Sequence, residues 1–134
     1  MSKSLSLPSI AGKSAAFGIG GWAAENLLFG PRYSAVFQGA HVPFLPIYAF
    51  GGLAISAAQP KLSKFSAIGR GVGYAAIGAL VEFLGCQVDR EFMKSAAWNY
   101  GQHDALARAT EGCVDWQHTA LWGVMGLVAE KIAE

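Results

Sequence analysis

The chain has 134 residues, enough for one domain, and a formal net charge of +1. That balance excludes the basic surface a nucleic-acid partner needs. Hydrophobic residues make up 53% and charged residues 14%, with a mean hydropathy of +0.34; an ordinary soluble domain carries roughly 25% charged residues, so composition favours lipid over water as the surrounding solvent.

Four apolar stretches are candidates for crossing a bilayer. The first runs over 10–29 and stops at Gly30-Pro31, which break a helix. Lys3, Lys13 and the apolar run after them resemble a signal peptide, but Glu25 interrupts the run and no small-x-small cleavage site follows, so the stretch reads as a retained helix. The second covers 42–58, with Pro43 and Pro46 near its start, where a missing N–H costs little, and Gln59-Pro60 at its end. It is short for a span, which suggests little tilt or a partly re-entrant path. The third covers 65–88. Between it and the fourth, over 115–132, lies a segment of mixed charge with Trp98, Asn99 and Tyr100. That segment is too polar to span and suits an interfacial or re-entrant helix. The expected fold is an all-α membrane protein of four transmembrane helices in a single domain over 1–134. No internal repeat supports an inverted-repeat transporter within the chain.

Lysine and arginine set the orientation. Lys3 and Lys13 precede span one, and Lys61 and Lys64 lie between spans two and three. In the last loop Asp89, Glu91, Asp104, Glu111 and Asp115 outnumber Arg90, Lys94 and Arg108. Both termini are therefore expected in the cytoplasm, and the last loop outside.

This topology brings unusual residues to one membrane face. Glu25 and Glu82 occupy matching outer depths of spans one and three, with Trp22 near the first. Tyr48 lies in the outer half of span two, Arg32 just beyond span one, Trp98, Asn99 and Tyr100 in the outer loop, and His118 at the start of span four. Carboxylates at membrane depth are costly and are usually turned inward, paired and used. The functional reading is a polar pocket in the outer leaflet where Glu25 and Glu82 hold a proton, a cation or a cationic head group. The plainer reading is a buried network that locks helices together, with Arg32, Tyr48 and Asn99 as partners.

Other features carry less. Gly69-x-Gly71-x-Gly73 has no preceding strand, so Gly69 and Gly73 read as a small-residue packing face continued by Ala76 rather than a phosphate loop. Arg70 sits close enough to the cytoplasmic end to snorkel. His41, His103 and His118 show no metal spacing, so no metal ligand set is assigned, and no cofactor is readable. Asp104 beside His103 is a faint signal. Cys86 and Cys113 belong to no CxxC pair; they could form one disulfide if both face an oxidising compartment, but spacing alone says nothing of geometry, and two unpaired thiols are the expected reading.

The ordered set Gly21-Trp22-x-x-Glu25, Pro46-Ile47-Tyr48-Ala49-Phe50-Gly51, Glu82-Phe83, Trp98-Asn99-Tyr100 and Trp122-Gly123 resembles the small bacterial membrane proteins classed as ABC-transporter type IV permeases, and small vertebrate transmembrane proteins are similar. The resemblance runs from about Gly18 to Gly126. It implies a compact helical domain in the bacterial inner membrane with a permease role, and carries over Trp22, Glu25, Tyr48, Glu82, Trp98 and Tyr100. Ala49, Asn99 and Gly101 stand where the family pattern favours glycine, aspartate and serine. The expected function is that of a small permease-like membrane protein whose partners are the lipid bilayer and a second copy or another membrane subunit. The alternative is a non-transporting accessory or lipid-binding subunit. An intramembrane acid–base enzyme is disfavoured, because no nucleophile or metal set accompanies the carboxylates.

Overall fold

The computed structural model describes residues 45–93 and 100–132, the backbone of 34–37 and 40–43, and scattered positions between 12 and 27, all of them helical. Two short antiparallel strands, β1 (Ser34–Phe37) and β2 (Ala40–Pro43), pair with Ser34 opposite Pro43 and Phe37 opposite Ala40. Helices α1 (Leu45–Leu62), α2 (Ala67–Val88), α3 (Ala105–Ala109) and α4 (Trp116–Ile132) follow. A π-helical turn, Asp89–Met93, prolongs α2.

The second apolar stretch differs from its expected bounds. Val42 and Pro43 belong to β2, and α1 runs two residues beyond Pro60. The proline removes only the bond its own N–H would have made, while Ser63 N–H still reaches the Gln59 carbonyl at 3.0 Å. The Ser63 hydroxyl donates to the Pro60 carbonyl, and Ser66 then caps α2, its hydroxyl accepting from Gly69 N–H at 3.1 Å.

Helix α2 is the centre of the assembly, packed along α4 and against α1. Its buried residues, Tyr74, Gly78, Glu82 and Cys86, recur every four positions. On α4 His118, Trp122 and Gly126 do the same. Four-spaced rows on two helices interdigitate as ridges and grooves. The pairing is reciprocal and antiparallel: Arg70 meets Glu130, Tyr74 lies over Gly126, and Gly78 lies under Trp122. Large rings on one helix thus fill notches left by glycine on the other. Gly51 of α1 borders the far edge of the Trp122 indole, and Gly21 of the N-terminal segment borders Tyr48. Among the described residues the core is the set Ile47, Tyr48, Ile55, Tyr74, Val114 and Trp122 with the two cysteines.

Gly69 and Gly73 meet different neighbours. Gly73 faces the Leu62 side chain of α1, Gly69 meets Phe65 and Ser66 at its own helix start, and Ala76 is exposed. Still closer inter-helix approaches occur at Gly51, Gly78, Gly123 and Gly126; a Cβ on Gly123 would lie 2.8 Å from the Gly71 carbonyl oxygen. Arg70 does not simply reach for the interface: its Nε donates to both Glu130 oxygens, at 2.9 and 3.2 Å, and Tyr74 OH donates to the same carboxylate.

The two cysteines form a disulfide, with 5.6 Å between their Cα atoms, which corrects the expectation of free thiols. Spacing could not show this, because only the return of the chain at 100–115 brings Cys113 to the end of α2. In that return, Tyr100 N–H donates to the Gly112 carbonyl, the Thr110 hydroxyl bonds Leu106 and Val114, and Arg90 reaches the Glu111 carbonyl at 2.8 Å. Glu111 and Gly112 turn the chain with φ of 54° and 83°. Helix α3 lies here, within the segment where a short helix was expected.

Among the described residues one helical stretch, Ala67–Phe92, is long and apolar enough to cross a membrane. Only 22% of its apolar window is buried within the chain. Ile68, Val72, Leu80, Leu84, Val88 and Phe92 line its uncovered side.

Candidate functional site

Glu82 lies 15 residues into α2, roughly 22 Å along its axis. Its side chain is 3% exposed. A carboxylate so placed must be met by donors or neutralised. Trp122 Nε1–H donates to Oε1 at 2.6 Å, from α4. Tyr100 OH donates to Oε2 at 3.3 Å, from the return loop. Gly78 is what lets the indole come this close, since any side chain there would occupy the same space. The Tyr48 ring stacks on Trp122 at 5.2 Å between centroids.

A second polar layer covers the first. Tyr100 stacks on His118 at 4.2 Å, with the rings 16° from parallel. Asp115 Oδ1 accepts from His118 backbone N–H at 2.8 Å and from its Nδ1 at 2.7 Å. Asp115 therefore caps α4 and orients the imidazole together. His103 reaches in from the surface: Nδ1 lies 2.8 Å from the Tyr100 carbonyl oxygen, and Nε2 lies 3.3 Å from Oδ2 of both Asp104 and Asp115. Asp104 caps α3, its Oδ1 accepting from Ala107 N–H at 2.7 Å, while Oδ2 accepts from Trp116 N–H at 3.0 Å. Desolvation pushes the Asp104 carboxyl up, but backbone hydrogen bonds from Ala107, Trp116 and Leu106 act the other way, and the carboxyl lies below the usual carboxylate range. Among the described residues, His103, Asp104 and Asp115 are the set with ligand atoms close enough for a metal, all within 4.8 Å of one another.

Of the residues singled out in the sequence, the structure brings together Glu82, Tyr48, Tyr100 and His118. Glu25, Trp22, Arg32, Trp98 and Asn99 lie outside the described residues, so the pairing of the two glutamates stays an expectation. Sequence reasoning gave no role to Trp122 beyond its place in the family pattern, nor to Asp115 beyond its charge. The available signal was the spacing of His118 and Trp122, four apart on one helix face.

Together these features define a small chain that, among the described residues, is helix-rich, has one helix fit to cross a membrane, and holds a buried carboxylate between helices and a disulfide-tied loop. The chain belongs to the family described as "Putative ABC-transporter type IV", whose sequence model matches residues 15–134. No curated protein and no solved structure matches it.

Proposed function

We propose that the chain is a permease-like integral membrane protein in which Glu82 is the group that takes up and releases a proton or a cation. The observation that carries this reading is a 3%-exposed carboxylate held by an indole and a phenol from two other segments, on a helix able to cross a bilayer. Membership of a transporter-type family supports it. So does the uncovered apolar side of α2, since a soluble core helix would be mostly buried whereas a lipid-facing one is not. Both termini in the cytoplasm of a bacterial inner membrane, with the return loop outside, fits the lysine distribution, and the Cys86–Cys113 disulfide suits an oxidising outer compartment. Glu25, Arg32 and Trp22, with Trp98 and Asn99 from the outer loop, would complete the pocket in this reading, and four spans would frame it. Because Trp122 fills the space between α1, α2 and α4, a path through the protein would run between copies of the chain or beside a partner subunit.

That same filled centre favours the second reading, a non-transporting accessory or lipid-binding subunit. One experiment separates the two. The chain is reconstituted in liposomes with an entrapped pH-sensitive dye, and proton entry is driven by a potassium diffusion potential. Glutamine keeps an acceptor for Trp122, so Glu82→Gln should preserve the fold while abolishing flux. Equal flux from wild type and variant would sink the role of Glu82. No flux from either, with lipid or a second protein co-purifying, would favour the accessory reading.

A further inference from the structure

His103 sits among a second group of polar side chains. Its Nδ1 faces the Tyr100 carbonyl oxygen at 2.8 Å, and a carbonyl can only accept, so the proton of the neutral imidazole sits on Nδ1. The lone pair is then on Nε2, which faces Oδ2 of Asp104 and Oδ2 of Asp115, each at 3.3 Å. These three potential ligand atoms lie within 4.8 Å of one another, and a positive charge shared among them would offset their mutual repulsion.

A second proton on His103 is one answer. It would draw the pairs in, because charge-assisted N–H···O bonds close to about 2.7–2.9 Å. Neither contact is that short. Two separations of 3.3 Å instead match the edge of a tetrahedron around an ion with bonds of about 2.0–2.1 Å, whose ligand atoms stand about 3.3–3.4 Å apart. We propose that His103 Nε2, Asp104 Oδ2 and Asp115 Oδ2 bind a divalent transition-metal ion of the zinc class.

The surroundings suit a ligand set. Metal-binding imidazoles commonly donate their other N–H to a backbone carbonyl, and ligating carboxylates are themselves held by donors. Tyr100 supplies that carbonyl, His118 holds the far oxygen of Asp115, and the amides of Ala107 and Trp116 hold Asp104. Asp115 is fixed in the interior with its side chain 2% exposed, while His103 is 47% exposed and leaves a way in for the ion and for water as the remaining ligand. An imidazole ligand selects zinc-like ions over magnesium or calcium, which prefer oxygen alone. The site lies in the return loop pinned by the Cys86–Cys113 disulfide and does not rest on transport.

The test uses the full chain in detergent, stripped with a chelator and titrated calorimetrically with zinc, and with cobalt for its visible absorption. One ion per chain is expected, with a raised Tm. His103→Ala should weaken binding by at least about tenfold without loss of helix signal, whereas His41→Ala, outside the loop, should not. Absence of saturable binding, or zinc affinity in His103→Ala equal to wild type, would overturn the site and leave the imidazolium tie as its explanation.

Discussion

Gly78→Ala tests the packing on which the buried carboxylate depends. The added Cβ would fall well under 3.0 Å from three atoms of Trp122, Cγ, Cδ2 and Cβ. Carbon pairs settle at about 3.5–4.0 Å, so the indole would have to move by roughly 1.5 Å. It has no free direction, because Gly51 of α1 stands against the other end of the ring just as closely. Overpacking of this kind costs about 1–3 kcal/mol. Movement of the indole also breaks its 2.6 Å bond to Glu82, and a bond to a charged group contributes about 1.5–3 kcal/mol. Alanine returns about 1 kcal/mol as the better helix former. The net loss is about 2–5 kcal/mol, which for a chain of this length lowers Tm by on the order of 10 °C. Gly20→Ala is the control, since nothing lies within 4 Å of a Cβ there. Thermal unfolding of both variants in the same detergent, followed by circular dichroism, decides the matter. A Gly78→Ala protein as stable as Gly20→Ala would show that the indole does not sit over Gly78.

Reduction of Cys86–Cys113 opens a link across 27 positions and should cost about 3–4 kcal/mol, read as a fall in Tm with added reductant; thiol labelling of the untreated protein should find no reactive cysteine. Acid unfolding should reveal Asp104. Its folded-state pKa lies below the ordinary 3.8, so its contribution is fully present above that value and disappears as pH falls through the lower one. Asp104→Asn should therefore be less stable at neutral pH and show a shallower acid limb; an unchanged limb would contradict the capping role. The flux test of Glu82→Gln and the zinc titration of His103→Ala complete the set.

The chain on its own determined a good deal. Its shortage of charge, its long apolar run at 65–88 and its helix breakers follow from how each residue type meets water and backbone, so they are local and legible. Glu82 stood out because one acid in an apolar run is anomalous wherever the run packs. The polar segment before the last helix was recognisable as a place for a short helix, and the ordered aromatic motifs pointed to the family.

What surrounds Glu82 was decided in three dimensions. The disulfide, the pairing of Tyr74 with Gly126 and Trp122 with Gly78, and the meeting of His103 with Asp115 join residues far apart along the chain. Spacing along one segment cannot encode the register between two, because each four-residue slip of one helix against the other offers another set of ridges and grooves. Gly69 and Gly73 show this directly: they share the spacing of a packing face, yet Gly73 meets Leu62 of α1 while Gly69 meets its own helix start, and the tightest fit to α4 falls at Gly78, under the Trp122 ring. Register was chosen by bulky rings finding empty notches, and only that choice set an indole against the carboxylate.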